Sequence, residues 1–265
     1  MNDKRREDIK RLAYRILSIS FWLSLWEIIS RVWDQKLLLP APSGVLLTLI
    51  DLSGSLDFWQ TILNSFLKIL LGFILAIILG TIMAILSYIS RFFYELISPI
   101  IKVIKVTPVA SFIILALIWV KSSYLSVLIS FLMVVPIVYT NILEGLNETD
   151  QRLLDMAKVF RLSTGKKIKA IYFPATIGYF ISAISVGLGF SFKSGIAAEI
   201  IGKPANSIGR RLYEAKLYFL TEEMFAWTLL IIIISLVFEK LVMKLINGIY
   251  QGRSKIGGYQ TDSDL

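Results

Sequence analysis

Few side chains in this sequence could do chemistry. It contains neither histidine nor cysteine, which removes imidazole and thiolate metal ligands, disulfides and nucleophiles activated by these residues. Some ionisable residues stand inside long apolar runs, where a charge at membrane depth costs about 2.5 kcal/mol or more, and four of them are considered first. They are Glu27, Arg31, Lys193 and Glu199. Glu27 and Arg31 are four residues apart, so a salt bridge on one helix face is the simplest prediction for them.

Lys193 and Glu199 stand among small and polar residues late in an apolar run, together with Ser191 and Ser194. Small and polar positions allow either close helix packing or a water-filled lining. In one interpretation these four residues line a pathway and Lys193 favours anionic solutes. In the other, Lys193 pairs with Glu199 or extends its charged end to the membrane surface. The sequence leaves both interpretations open.

The elements that position these residues are membrane helices. The chain has 265 residues, of which 56% are hydrophobic and only 18% charged, a balance typical of integral membrane proteins. A helix needs about 20 residues to cross the hydrocarbon core. By that measure the sequence predicts an all-α fold with about six transmembrane helices, and an additional interfacial helix at 92–105. The predicted spans are 13–33, 62–89, 108–120, 124–143, 174–201 and 224–246.

Basic residues predict which side each loop occupies. Lysine and arginine number 28 against 19 aspartate and glutamate, and short cytoplasmic segments carry such an excess. The basic clusters precede the first span and follow the second, fourth and sixth spans. This arrangement places both termini in the cytoplasm.

The first apolar run lacks a small-residue cleavage site, so we expect an uncleaved helix. The predicted organisation is 1–33 for the N-terminus and first helix, 34–61 for an outer loop, 62–248 for the core and 249–265 for a cytoplasmic tail.

A charged segment interrupts the apolar chain at 151–165. Leu153, Ala157 and Phe160 fall at helical spacing with Leu154 beside them, which predicts a short amphipathic helix. The sequence Ser-Thr-Gly at 163–165 would end this helix, and Pro174 would begin the fifth span. The helix would either lie among lipid headgroups or dock into a groove on a soluble partner.

The same segment resembles the cytoplasmic "EAA" loop in permease subunits of bacterial ABC importers. The resemblance lies in Asp155-Met156-Ala157 followed by Phe173-Pro174, although Asp155 replaces the family's glutamate, Met156 its first alanine, and Arg161 its usual glycine. The stretches 37–49, 106–108, 135–136 and 187–202 resemble the branch that handles sulfonates, taurine, nitrate or related small solutes. Together the similarity covers roughly residues 36–248.

This resemblance implies a type I importer permease of the bacterial inner membrane. Two copies would form the pathway, ABC ATPase subunits would bind the cytoplasmic side, and an extracytoplasmic binding protein would deliver the solute. It implies coupling to the ATPase through 151–165, at Leu153, Leu154, Asp155, Met156, Ala157, Phe160, Arg161 and Gly165.

The sequence agrees with a non-catalytic subunit, because it contains no G-x-x-x-x-G-K-[ST] phosphate-binding motif. We expect no cofactor, no metal and no nucleic-acid partner. A stand-alone carrier or channel is the alternative, but the sequence has neither two related halves nor coupling residues at mid-membrane depth. An intramembrane enzyme would need paired carboxylates or a metal cluster. The transported substrate cannot be read from the sequence.

Overall fold

The protein is helical throughout the part of the chain that the structure describes. This computed structural model describes residues 2–33 and 38–256, and every regular element within these ranges is a helix. The helices are α1 Asn2–Trp33, α2 Pro42–Ser53, α3 Leu56–Ile89, α4 Arg91–Val106, α5 Val109–Trp119, α6 Ser122–Asn147, α7 Gln151–Val159, α8 Thr164–Lys167, a π-helical turn Ile168–Tyr172, α9 Phe173–Gly202, α10 Ile208–Leu217 and α11 Thr221–Ile256. Residues 34–37 of the predicted outer loop and 257–265 of the predicted tail lie outside the described residues.

Long apolar helices form because backbone polar groups in lipid must find their hydrogen-bond partners within the segment. Helices α3 and α6 and the continuous stretch Thr164–Gly202 are long and apolar enough to cross a membrane, judged on the described residues. The predicted first and last spans, 13–33 and 224–246, lie inside α1 and α11, which have 32 and 36 residues. The chain is therefore an all-α polytopic membrane protein, as predicted. Among the described residues three spans meet these criteria, or four if α4 and α5 are counted as one, against about six predicted.

The predicted third span is sharply bent where it begins. Helices α4 and α5 pass the length and composition criteria only as a pair, and they meet at 110°. The break falls at Thr107, whose backbone is extended at φ −76° and ψ 128°, because the ring of Pro108 disfavours a helical conformation at the preceding residue. Helix α5 has 11 residues, about 16 Å at 1.5 Å per residue. It is too short to cross the hydrocarbon core by itself.

The fifth span begins earlier than the sequence predicted. Pro174 does not start it, since a continuous helical stretch of 39 residues already begins at Thr164. A π-helical turn precedes the proline, and the N–H of Phe173 bonds to the carbonyl of Ile168, five residues back. Proline has no N–H and its ring crowds the carbonyl four residues earlier. The wider turn accommodates this defect, and the helix continues through it.

The core forms where α6 packs between α3 and α9. Small residues bring these helices close together, as is usual between membrane helices. A Cβ atom on Gly195 of α9 would lie 2.6 Å from Cγ1 of Ile69 and 2.6 Å from Oγ of Ser130, so no larger residue fits there without movement. Val134 and Val138 of α6 are fully buried at this junction. The packing fixes which face of α9 points inward.

The loops gather at two opposite ends of the bundle. At one end the Asn64 side-chain amide of α3 donates to the carbonyl of Asn206, 2.9 Å away, just before α10. Gly202, at the end of α9, packs against Leu125 near the start of α6. At the other end the hydroxyls of Tyr88 and Tyr172 lie 3.5 Å apart. We call the end with α2 and α10 the outer end, following the sidedness predicted from basic residues.

Candidate functional site

Helix α7 is a short, well-capped helix at the inner end. The Asp150 carboxylate accepts a hydrogen bond from the N–H of Arg152 at 2.8 Å and so caps the first turn. The carboxylate of Asp155 accepts from the Gln151 amide at 3.0 Å and from the Lys158 ammonium at 2.9 Å. These two contacts, Lys158 first, hold the pKa of Asp155 below its ordinary value. Asp155 is therefore a carboxylate at neutral pH.

The end of α7 differs from the predicted boundary. The helix stops at Val159 rather than near 162, and residues 164 and 165 already belong to the next helix. The N–H of Leu162 bonds to the carbonyl of Ala157 at 2.9 Å and that of Arg161 to Lys158 at 3.0 Å. This is the Schellman arrangement, in which the residue after the cap adopts a left-handed backbone. Arg161 occupies that position, with φ 48°.

Most apolar side chains of α7 point away from the bundle. Ala157 is fully buried and Leu154 is half-buried, but the neighbouring apolar residues are exposed. The predicted apolar stripe is thus divided, because Ala157 packs inward while Leu153 and Phe160 face outward. We name the exposed set the α7 ridge; it comprises Leu153, Met156, Val159 and Phe160, with exposed fractions of 43%, 49%, 79% and 70%. Asp155, Arg161 and Gly165 are exposed beside it.

Val159 was not among the residues selected from the sequence. Its spacing of three residues from Met156 was the available signal. Gly165 has no atom within 4 Å of a built Cβ, so the space beside it is open. The α7 ridge is the candidate site for a partner at the inner end.

The four residues predicted to line a pathway fall on different faces of α9. Ser191 and Glu199 are fully buried, and Ser194 is 5% exposed. The two serines donate hydrogen bonds to carbonyls of their own helix, at Leu188 and Phe190, both at 2.8 Å. They pack between helices and do not reach an open face of this chain.

Lys193 alone of these four residues is exposed, and its ammonium lies 6.0 Å from the centre of the Phe190 ring. The suggested pair with Glu199 is not formed, because Glu199 bonds to Ser65 and Gly209 instead.

The predicted pair between Glu27 and Arg31 is confirmed, with a separation of 2.7 Å.

One face of α9 carries small residues that were not among those predicted to line a pathway. Gly178, Ser182 and Lys193, which are exposed, and Gly189, which is half-buried, recur at helical spacing on this face. A Cβ atom at either glycine would have no neighbour within 4 Å in this chain. We name this the open face of α9. Its signal in the sequence is the spacing of four, seven and four residues between these positions, which is a helical period.

A second missed residue lies in the sixth predicted span. Oε1 of Glu239 on α11 accepts a hydrogen bond from the Ser185 hydroxyl of α9 at 2.8 Å. A carboxylate inside an apolar run was the available signal. The bond ties α11 to α9 beside the open face.

Comparison with known proteins identifies the family. Residues 76–255 match the family described as binding-protein-dependent transport system inner membrane component. The chain belongs to this family. Such permeases are subunits of ABC importers and are generally non-catalytic, so the chain is an importer permease rather than a stand-alone carrier or channel. Membership implies an ATPase and a substrate-binding protein as partners, and a multi-pass location in the inner membrane.

Three similar permeases illustrate the range of relatives. The putative aliphatic sulfonates transport permease SsuC of Escherichia coli is 29% identical over 204 residues, 76% of each chain. The bicarbonate transport system permease CmpB of Synechococcus elongatus is 24% identical over 226 residues, 80% of each chain. The nitrate import permease NrtB of the same species is 24% identical over 211 residues, covering 76% of this permease and 75% of the relative.

Proposed function

We propose that this permease couples to its ATPase through the 151–165 segment and that the α7 ridge is the contact surface. The observation that carries the proposal is the exposure of Met156 and Phe160, at 49% and 70%, on a helix whose inward side is already filled by Ala157. Exposed apolar side chains beside charged ones are typical of partner-binding surfaces. ATP hydrolysis then takes place on the partner, and movement of α7 is passed to α9 through α8.

Burial among lipid headgroups is the competing role for the α7 ridge. Asp155 stands beside the ridge and remains ionised at neutral pH because its pKa is lowered by Lys158 and Gln151. The basic side chains around it, such as Arg152, Lys158 and Arg161, would be attracted to the anionic lipids of a cytoplasmic leaflet, so charge does not separate the two roles and the co-purification test below does. A protein groove that offers a basic side chain or backbone N–H groups suits this carboxylate.

Substitution of the α7 ridge tests the proposal. Met156→Ser and Phe160→Ser each remove an exposed apolar side chain without disturbing the buried Ala157. We expect each variant to reduce co-purification of the ATPase by about tenfold, because burying a large apolar side chain contributes about 1.5–3 kcal/mol. Leu47→Ser, which changes a 64% exposed residue of α2 at the outer end, is the matched control and should leave co-purification unchanged. Full ATPase recovery with both ridge variants would contradict the proposal.

The substrate class proposed for this permease is a small inorganic or organic anion. The names of its relatives refer to bicarbonate, aliphatic sulfonates and nitrate, all of which are anionic at neutral pH. Lys193 on the open face of α9 supports this class, since an exposed ammonium raises the local concentration of anions. A second copy of the permease, facing the open face of α9, would complete the pathway.

A further inference from the structure

Helix α4 begins at the inner end, because α3 and α6 run side by side in the same direction. A Cβ atom on Gly72 of α3 would lie 2.4 Å from the carbonyl oxygen of Val127 on α6. Further along, a Cβ atom on Gly80 would lie 2.9 Å from Cβ of Val138. Extended to Ile89, the last residue of α3, this alignment places the end of α3 level with the last turn of α6. Helix α4 follows directly.

The bend between α4 and α5 lies within the depth of the bundle. Helix α6 starts at the outer end, and its 26 residues extend about 39 Å toward the inner end. Helix α5, which reaches this start through Lys121, is only about 16 Å long and leaves the rest of that distance to α4. The 16 residues of α4 span about 24 Å. Helix α4 therefore rises from the inner end into the membrane, whereas the sequence predicted a helix lying at its surface.

Lys102 and Lys105 lie on the part of α4 closest to the bend. They precede Thr107 by about 8 and 3 Å along the helix, and both side chains are exposed. Neither forms a salt bridge with a described residue. A lysine stem can carry its ammonium some way toward the membrane surface, but Lys105 starts far from that surface. Charged side chains at this depth avoid lipid and face a bundle interior or water.

Helix α4 separates its charged residues from its exposed apolar residues. Its buried face, with Ile97 and Ile101, packs against α3 and α6. The apolar face of α4 is exposed and comprises Phe92, Leu96, Ile100 and Val103. A third face, which we name the polar face of α4, comprises Arg91, Glu95, Ser98, Lys102 and Lys105 at helical spacing. The apolar face suits lipid, so the polar face must border a space that holds water.

The uncovered side of α6 is also polar in the half nearer the inner end. Thr140 and Asn141 are half-buried there, and Glu144 is exposed. The Thr140 hydroxyl and the Asn141 amide donate to carbonyls of their own helix, at Pro136 and Ile137. Polar positions on a membrane helix allow a water-filled lining. Because α4 packs against α6, the two polar surfaces belong to one region of the bundle.

We propose that Lys102 and Lys105 line the translocation pathway and bind the transported anion on its way across the membrane. This inference rests on the proposed function, which supplies the anionic substrate class and the second copy that encloses the pathway. Two ammonium groups one turn apart can bind one anion through charge-assisted hydrogen bonds. Because Lys193 is on another helix, the anion meets more than one cationic position, and several sites keep binding weak enough for release.

Cysteine accessibility tests whether the polar face of α4 borders water. The sequence has no cysteine, so single variants can be made and placed with the ATPase in nanodiscs, which leave both membrane surfaces open to reagents. We expect Lys102→Cys and Lys105→Cys to react with the anion 2-sulfonatoethyl methanethiosulfonate about tenfold faster than Val103→Cys, because lipid excludes a charged reagent. Val103→Cys is the matched control, since it lies at the same depth on the apolar face.

A comparison of two reagents tests whether the site favours anions. In Lys102→Cys, the remaining Lys105 should raise the ratio of the rate with this sulfonate to the rate with its trimethylammonium analogue. We expect a ratio about tenfold above that of a free thiol, because a charge one turn away acts through a medium less polar than water. Adding Lys105→Gln should remove most of this increase. Adding Arg91→Gln should not, because Arg91 lies about 16 Å away along α4 and its field is screened by salt.

Transport is measured in proteoliposomes that contain the ATPase and binding protein, with nitrate, bicarbonate and methanesulfonate as probes. We expect the double variant Lys102→Gln, Lys105→Gln to reduce uptake of the transported probe about tenfold. The double variant Lys102→Arg, Lys105→Arg keeps both charges and should retain most of the uptake. A purely structural role for the lysines would instead lower ATPase association in the glutamine variant.

Three labelling results would overturn the inference. Equal labelling of both lysine positions and Val103 would place α4 at the membrane surface. No labelling at either lysine position would exclude a water-filled space there. A rate ratio unchanged by Lys105→Gln would show that the lysines do not attract anions. Poor assembly of one cysteine variant leaves the other lysine position to decide.

Normal uptake by the double glutamine variant would also overturn the inference, because the anion would then cross without these charges. Failure to transport any of the three probes would instead count against the proposed substrate class. The labelling pattern and the rate ratio do not depend on transport, so they still decide whether Lys102 and Lys105 line a pathway that attracts anions.

Discussion

Arg161 occupies a backbone conformation that suits glycine better than arginine. Its φ of 48° lies in the left-handed region, where a side chain beyond Cβ costs about 1 kcal/mol. The resemblance to ABC permeases gave glycine as the usual residue here, and the Schellman end of α7 supplies the physical reason. The departure from the family pattern is thus a local strain rather than a different structure.

Arg161→Gly should strengthen the end of α7. Relief of the left-handed strain, partly offset by the greater freedom of glycine in the unfolded chain, should add up to about 1 kcal/mol. Hydrogen exchange at the amides of 161 and 162, which close the helix end, should slow by up to about fivefold. Lys158→Gly, in the last turn of α7, should have the opposite effect, because glycine is a poor helix former and the ion pair with Asp155 is lost. Unchanged exchange in Arg161→Gly would show that the turn is not strained.

Lys193 is the residue whose charge should matter for an anionic substrate. Lys193→Gln is expected to reduce import by about tenfold, equivalent to about 1.4 kcal/mol, while Lys193→Arg, which keeps the charge, should retain most of it. The measurement is uptake into proteoliposomes that contain the ATPase and binding protein. Because attraction at an exposed site is screened by salt, the difference should shrink as ionic strength rises. Normal uptake by Lys193→Gln would remove Lys193 from the pathway.

At the scale of elements, the π-helical turn Ile168–Tyr172 sets the direction in which α7 and α8 leave α9. π-Helical turns are rare and occur frequently at functional sites. This one has one more residue per hydrogen-bonded ring than an α-helix, so it rotates everything before it relative to α9. The turn therefore determines which way the α7 ridge faces.

Removing one residue from this turn should uncouple the permease. Deletion of Lys169 combined with Pro174→Ala permits a regular α-helix, which rotates α7 by about 100° relative to α9. We expect the variant to insert and fold but to lose ATP-driven uptake, because the α7 ridge no longer faces the ATPase. Pro174→Ala alone, which keeps the chain length, is the control. Normal uptake by the deletion variant would mean that the orientation of α7 relative to α9 does not affect coupling.

At the scale of the whole molecule, one protomer leaves the open face of α9 without a partner. This face carries Gly178, Ser182 and Gly189, although the larger Val186 lies among them. Small residues allow another helix to approach closely or water to enter. Both are expected where two copies meet around a pathway.

Cross-linking tests this arrangement. Val186 lies on the open face of α9 and is 46% exposed, while Val237 on α11 is 50% exposed. In purified, membrane-reconstituted protein, Val186→Cys should form a dimer with a short bifunctional thiol reagent, and Val237→Cys should remain monomeric under the same conditions. Equal cross-linking of the two variants, or none with Val186→Cys, would argue against a second copy at this face.

The sequence by itself determined the membrane class, the helical fold and the amphipathic character of α7. A segment in lipid must form its backbone hydrogen bonds within itself. A sufficiently long apolar run therefore predicts a helix. The Glu27–Arg31 pair was also predictable, because both residues lie on one helix at adjacent turns. Even the bend at Thr107 followed from the local clash with Pro108.

Only the tertiary structure decided which way the polar residues of α9 point. Helical periodicity places Lys193 and Glu199 on different faces of α9, but it does not determine which residue points into the bundle. The tertiary structure decides this, because Ser65 and Gly209 surround Glu199 and bond to it. The burial of Ala157 and the exposure of Phe160 likewise depend on where the rest of the bundle lies. The direction in which a side chain points depends on helices that are distant in the sequence. Their positions cannot be read from one sequence alone.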